Sequence, residues 1–270
     1  MNVNNSKCTT KNWIQILLVF ILSLSQMPLN AQDQDTDTKK WEFNIAPYLL
    51  FPYMNGEVVI QGIPVEVDEN PGDIFSNLNW GAMLYFEASS PKWAFVFDVQ
   101  YMDLGADGQT PLLSRKASVG LDQLALAISG RYRITEWADI GIGARLNSIG
   151  GSVKVAPGDL VLPGTDFSMN ETWLDPFIVT RVMTNLNDSK WRLALSADIG
   201  GFGIGSDLAW QINPSVGYQF TKLFQLGVEY RWFGMKYETG SGTSTGIILT
   251  DLFLYVVTTS GPEIKFSFHF

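Results

Sequence analysis

Few residues of this 270-residue chain could carry out catalysis. His269 is the sole histidine and Cys8 the sole cysteine, and a histidine base needs a nucleophile and an orienting carboxylate near it. No spacing around His269 supplies these partners, so we expect a rim or lumen histidine there and not a base. Paired carboxylates stay open as an alternative, because no spacing selects one pair. The sequence therefore predicts a protein that is not an enzyme, without a cofactor or a metal site.

A glycine-rich stretch, Asp198–Asp207, is the second candidate for chemistry. Gly200, Gly201, Gly203 and Gly205 could form a loop that holds a phosphate group. Such a loop needs a strand before it and a helix after it, whereas the residues that follow alternate as in a strand. We therefore predict a tight turn between two strands, in which glycine permits positive φ or close contact with a neighbour.

The most informative charges lie on one face of segments whose polarity alternates with a period of two. In the segment 92–103, Trp93, Phe95 and Phe97 share one face, while Asp98 lies on the other. This period is typical of a β-strand. When the other alternating segments are assigned in the same way, a balanced set of charged side chains points inward. The facing of Thr172–Met183 stays unassigned. The set contains Glu42, Glu87, Asp98, Asp139, Asp198 and Glu229, together with Arg131, Arg133, Arg145, Arg192, Arg231 and Lys265.

The balance between these acids and bases predicts ion pairs that fill the interior and fix the strand register. Buried charges persist only when they are paired, which favours this interpretation. A charged pore lining that selects ions is the alternative.

Composition indicates which kind of fold encloses this interior. Hydrophobic residues make up 46% of the chain and aromatic residues 13%, yet no run of about 18 apolar residues follows residue 31. Strands with one apolar, aromatic face and one polar face fit a membrane barrel, in which the apolar face meets lipid. We predict an all-β fold, a closed antiparallel transmembrane β-barrel. The net charge of −9 argues against a nucleic-acid partner.

The connections between strands predict the strand count. Short connections occur at 89–92, 134–136, 186–190 and 221–222, and longer ones at 105–120, 150–171 and 238–250. Short turns of such barrels face the periplasm and long loops face outside, so four short turns and two periplasmic termini predict ten strands. The first is Trp41–Tyr53, and an outer loop at 56–77 contains a small hairpin and a helical turn. Twelve strands result if that hairpin crosses the bilayer, and eight if shorter strands merge.

The first 31 residues have the organisation of a secretory signal peptide. Lys7 and Lys11 precede the apolar stretch Trp13–Leu24, which is too short to span a bilayer, and Ala31 provides a small residue for cleavage. We predict export, a periplasmic segment at 32–40 and a single barrel domain at 41–270. An uncleaved membrane anchor is the alternative.

The closing segment carries alternating aromatic residues, Phe266, Phe268 and Phe270, which suit contact with lipid. This end resembles the signature by which the barrel-assembly machinery recognises outer-membrane proteins. Four further motifs carry a wider resemblance: Trp173-Leu174-Asp175-Pro176, Asp198–Asp207, Glu229-Tyr230-Arg231 and Gly261-Pro262. Through them, the region 41–270 resembles a family of Gram-negative outer-membrane β-barrel proteins without an established activity. The resemblance implies the fold and an outer-membrane location, and it brings no catalytic residues.

Two functions are compatible with these features. The first is a structural or surface-interaction barrel with a charge-filled lumen, in contact with outer-membrane lipid and lipopolysaccharide. The second is a narrow channel or transporter for small solutes.

Overall fold

The computed structural model of the chain describes residues 41–60, 63–109, 116–155, 165–186, 189–240 and 252–270. The predicted signal peptide at 1–31 and the segment 32–40 lie outside the described residues. Within the described ranges, no helix is long and apolar enough to cross a membrane.

Twelve strands and one short helix follow one another along the described chain. In order they are β1 Glu42–Leu50, β2 Tyr53–Ile60, β3 Ile63–Glu69, α1 Pro71–Ser76, β4 Leu78–Ser89, β5 Trp93–Gln109, β6 Lys116–Thr135, β7 Ala138–Val155, β8 Thr165–Asn185, β9 Trp191–Gly201, β10 Leu208–Gln219, β11 Phe224–Thr239 and β12 Phe253–His269.

Ten of these strands close into one antiparallel barrel. β1 pairs with β4, β4 to β12 pair in sequence order, and β12 returns to β1 to close the ring. The closure runs from Asn44 opposite His269 to Leu50 opposite Glu263. This arrangement confirms the predicted closed ten-stranded barrel.

The remaining two strands form a hairpin that is not part of the closed cycle of strand pairings. β2 pairs with the part of β12 between Phe253 and Ser260, and β3 pairs with β2. The first strand was expected to reach Tyr53, but β1 ends at Leu50. The reason lies opposite it, where a Cβ on Gly261 would come within 2.0 Å of the Phe51 carbonyl oxygen. Only glycine permits this close approach, and Pro52 then lacks the N–H that would continue the ladder.

Helix α1 returns the chain from this hairpin to the barrel. Asn70 caps it, since its side chain accepts hydrogen bonds from the backbone N–H groups of Gly72 and Asp73, and Pro71 opens the first turn. Ile74 is 3% exposed and points into the barrel, while Phe51 and Phe75 pack with ring centroids 5.4 Å apart. The helix therefore covers the outer end of the interior.

Apolar side chains cover the outer surface of the ring. Trp93, Trp137 and Trp191 directly follow short turns and remain 46–58% exposed, as expected of an aromatic girdle at one membrane interface. We call the end with the short turns the periplasmic end. The outward-facing belt and the closed ring together make the chain an outer-membrane type of β-barrel.

Several connections that the sequence placed in long loops are partly strand. β5 and β6 stay paired from Trp93 opposite Tyr132 up to Gln109 opposite Lys116, and β7 and β8 stay paired up to Val155 opposite Thr165. The loop prediction was wrong for these ends because antiparallel pairing continues into the segments assigned to loops. β5 to β8 are consequently 17, 20, 18 and 21 residues long, more than the about 9–11 residues that a strand needs to cross a bilayer.

An apolar cluster fills the outer half of the interior. Its buried members are Met54, Ile74, Ile149, Trp173, Ala209, Met235, Phe253, Tyr255 and Val257. Trp173 stacks face to face on Tyr237 at a centroid distance of 3.9 Å, which joins β8 to β11 across the interior. The polar residues of the lumen lie between this cluster and the periplasmic end.

Candidate functional site

The predicted inward charges share one polar lumen. A cavity of about 610 Å³ opens among the periplasmic halves of the strands, and eleven of the charges line it. The exception, Asp139, is 2% exposed and contacts the lining residue Arg181. The members of the set differ in whether an opposite charge lies close to them.

The first ion pair joins Arg145 on β7 to Asp198 on β9. Arg145 Nη2 lies 3.0 Å from both carboxylate oxygens, and the two side chains are only 5% and 6% exposed. The guanidinium also lies between the rings of Phe177 and Phe233, at 5.0 and 4.8 Å from their centroids. Cation–π attraction therefore adds to the ion pair at the base of the apolar cluster.

A second group of charges is centred on Arg181 of β8. Its Nη1 lies 2.7 Å from Glu87 on β4, and its Nη2 lies 2.7 Å from Asp139 on β7. Tyr85 donates a hydrogen bond to Glu87. Arg181 was not among the predicted lumen charges. Because of Pro176 and the mixed polarity of Thr172–Met183, the sequence does not show which side chains of this strand point inward.

A third group joins β5, β11 and β12. Arg231 contacts Glu263 at 3.0 Å and Asp98 at 3.4 Å, and Lys265 contacts Glu229 at 3.1 Å and Glu263 at 3.2 Å. Glu263 is fully buried and was also missed. It lies two residues before Lys265, so alternation along β12 was the signal that could have identified it.

Three arginines of the set have no carboxylate within ion-pair distance in the described part of the chain. Arg131 is 7% exposed and only reaches the Ser129 hydroxyl, at 3.4 Å. Arg133 has a buried Nε without a hydrogen-bond partner among the described residues. Arg192 reaches the Asn185 side-chain oxygen at 3.3 Å.

Glu42 and His269 complete the periplasmic rim of the cavity. Glu42 is exposed and makes no ion pair with the described bases. His269 faces the lumen, and its Nε2 is buried without a partner in the described chain. No group of three His, Cys, Asp or Glu side chains in the described residues is arranged to hold a metal ion.

A buried polar cluster beyond the lumen was not anticipated from the sequence. Asp175 is fully buried, and its Oδ2 accepts hydrogen bonds from Asn147, Trp173 and the Ser206 hydroxyl at 2.8–3.2 Å. Its Oδ1 accepts from the Ser206 backbone N–H at 2.6 Å. The cluster joins two motifs that are separate in the sequence, Trp173–Pro176 and Asp198–Asp207.

The glycine-rich stretch is the predicted tight turn. β9 ends at Gly201 and β10 begins at Leu208, so the helix that a phosphate-binding loop requires does not follow. Gly201 and Gly203 have positive φ, at 87° and 71°. A Cβ on Gly205 would lie 2.5 Å from the Leu174 carbonyl oxygen, so glycine is needed for close packing there.

The closing aromatics point away from the lumen. Phe266, Phe268 and Phe270 are 37%, 41% and 70% exposed, whereas the alternate residues Lys265 and His269 line the cavity. The placement is that of lipid-facing side chains at the periplasmic end.

Comparison with known proteins assigns no family to the chain. No family model and no curated protein matches it. Among solved structures it is similar to the outer membrane protease OmpT of Escherichia coli, with a TM-score of 0.47, 10% identity and coverage of 88% of this chain and 99% of that chain. It is also similar to the toluene transporter TodX of P. putida (0.37, 10%, 87% and 90%) and to the attachment invasion locus protein Ail of Yersinia pestis (0.35, 10%, 86% and 100%). At this level of similarity, none of the matches bears on the role of a residue or on an activity.

Proposed function

We propose that the protein is an outer-membrane barrel with a structural or surface-interaction role and a lumen closed to the passage of solutes. The observation that carries this proposal is the apolar cluster in the outer half of the interior, where Trp173 stacks on Tyr237. An ion or a sugar entering from outside would have to displace packed aromatic and aliphatic side chains. Disrupting this packing would lower the stability of the fold.

The ion pairs support the same proposal from the periplasmic side. Arg181 reaches Glu87 from four strands away around the ring, and Arg231 reaches Asp98 over the same separation of four strands. These contacts cross the lumen, and a ten-stranded barrel is close in size to barrels whose side chains fill the interior.

The parts that project outward suit interaction with the cell surroundings. The β2–β3 hairpin exposes Glu57, Glu66, Asp68 and Glu69, and the paired ends of β5 to β8 extend beyond the membrane belt. Export by the signal peptide, contact with lipopolysaccharide and recognition of the Phe266–Phe270 face by the assembly machinery are parts of this proposal.

A narrow channel is the second candidate, favoured by the polar cavity of about 610 Å³. Conductance in a planar bilayer separates the two functions. We expect wild-type protein, inserted and verified by heat-dependent mobility on a gel, to give no steady conductance steps. Steady conductance that changes in Arg231→Gln but not in the control Lys236→Gln would establish the channel instead. Lys236 is a matched control because it pairs with Asp207 on the exposed surface, away from the lumen.

A further inference from the structure

The polar cavity at the periplasmic end has an uneven distribution of charge. β6 to β9 and their turns contribute Arg131, Arg133, Arg145, Arg181 and Arg192 to its wall, against the carboxylates of Asp198 and of Glu136, which is exposed at the rim. Arg145 is paired with Asp198, and Arg181 holds both Asp139 and Glu87. The wall therefore carries three arginines for which the described residues supply no carboxylate within ion-pair distance.

Arg131 makes this surplus physically significant. Arginine stays protonated in proteins, and burying a cation is costly unless nearby charges and hydrogen bonds compensate it. Glu87 lies within electrostatic range of Arg131, but its carboxylate is held by Arg181. Arg131 is 7% exposed, and its one hydrogen bond within the described chain is a long one to a neutral hydroxyl. On the same strand, the buried Nε of Arg133 also has no partner there. The Arg133 Nε is itself shielded from the cavity, but both side chains line it, and the guanidinium nitrogens of Arg131 beyond Nε have no hydrogen-bond partner among the described residues.

We propose that this cavity is a binding site for a small organic anion, a carboxylate or phosphate compound, that enters from the periplasm. Guanidinium groups bind carboxylate and phosphate oxygens through two parallel hydrogen bonds. The volume, about 610 Å³, lies within the range of about 300 to 1,000 Å³ typical of small-molecule sites. The bound anion would bring a negative charge within ion-pair distance of Arg131 and Arg133, which the described residues do not do.

The side from which the ligand enters follows from the lining. Asn185, Arg192 and His269, which line the cavity, all lie at the periplasmic end of their strands. The apolar cluster occupies the other end of the interior. The cavity is therefore open to the periplasm and closed on the outer side. An anion-binding site within it goes beyond the closed-barrel function proposed above.

Calorimetric titration of the barrel in detergent micelles tests the site, with inorganic phosphate and citrate as probes and sodium chloride at matched ionic strength as the blank. We expect saturable binding of a probe to the wild type. Arg131→Gln and Arg133→Gln should each weaken it by about tenfold or more, which is the effect of losing one charged hydrogen-bonding group. Lys222→Gln is the matched control, because Lys222 is exposed on a periplasmic turn and does not line the cavity.

Two results would overturn the proposal. One is that neither probe binds the wild type beyond the chloride blank. The other is that the arginine variants bind as tightly as wild type or lose no more affinity than Lys222→Gln. Heat-dependent gel mobility confirms that each variant is folded, and Arg133→Gln, which is only partly buried, provides a second variant if Arg131→Gln does not assemble. Because binding in micelles does not require a closed outer half, failure here is distinguishable from failure of the closed-lumen proposal.

Discussion

The Arg145–Asp198 pair provides the most direct test of whether the ion pairs of the lumen are shielded from water. Arg145→Met removes the charge and keeps much of the aliphatic stem, so the change isolates the loss of the guanidinium. The Asp198 carboxylate, 6% exposed, is then left in the interior without its partner. Breaking a buried pair in this way costs about 3–5 kcal/mol. We expect a loss of that size in the free energy of unfolding.

The double variant Arg145→Met/Asp198→Leu separates pairing from packing. Replacing both members of a buried pair by apolar side chains is often neutral or stabilising by about 1–4 kcal/mol. We therefore expect the double variant to recover most of the stability that the single variant loses. The exposed pair Lys236–Asp207, with side chains 49% and 53% exposed, is the control, and Lys236→Met should have little effect on stability because solvent screens exposed pairs.

Urea unfolding of the barrel reconstituted in lipid vesicles measures these differences, with tryptophan fluorescence as the signal. A loss below about 1 kcal/mol for Arg145→Met, equal to that for Lys236→Met, would mean that water screens the pair as it screens a surface pair. That outcome would refute the water-shielded ion pairs and would strengthen the channel hypothesis.

Two further predictions concern the polar cluster behind the glycine-rich turn, and the same unfolding assay measures both. Asp175→Asn keeps the shape of the side chain but turns one acceptor into a donor facing the donor groups of Ser206. We expect the free energy of unfolding to fall by about 1–3 kcal/mol. Wild-type stability of this variant would show that water replaces the lost hydrogen bonds. Gly205→Ala places a Cβ 2.5 Å from the Leu174 carbonyl oxygen, whereas at Gly227 the nearest atom is 3.7 Å away. We expect Gly205→Ala to cost about 1–3 kcal/mol and Gly227→Ala much less, and equal costs would contradict the close-packing argument.

The period-two alternation was sufficient to predict the barrel, since lipid on one face and a polar lumen on the other impose it on every strand. It is less informative in the outer half of the barrel, where an apolar residue can face either side. Met54 on β2 and Tyr255 on β12 show why: both are buried inside this half, where the interior is apolar. Alternation cannot distinguish an apolar interior from a lipid-facing surface.

The partners within the lumen were beyond sequence analysis for a different reason. Alternation assigns a side chain to a face but does not indicate which residue lies opposite it across the ring. Arg181 meets Glu87 over a separation of 94 residues, and Arg231 meets Asp98 over 133. These contacts depend on closure of the barrel and on its register, which are properties of all ten strands together.

The two layers of the interior suggest how the fold combines stability with a defined register. The outer layer, with the Trp173–Tyr237 stack at its centre, buries apolar area above the membrane belt as the core of a soluble protein does. The ion pairs form a second layer in the periplasmic half of the interior, where no apolar core aligns the strands. A shift of one residue in any strand would turn its charges toward lipid, at high cost in free energy. Pairs such as Arg145–Asp198 therefore specify the register where the apolar cluster does not, and the arginines that lack such pairs mark the part of the wall that is available for a ligand.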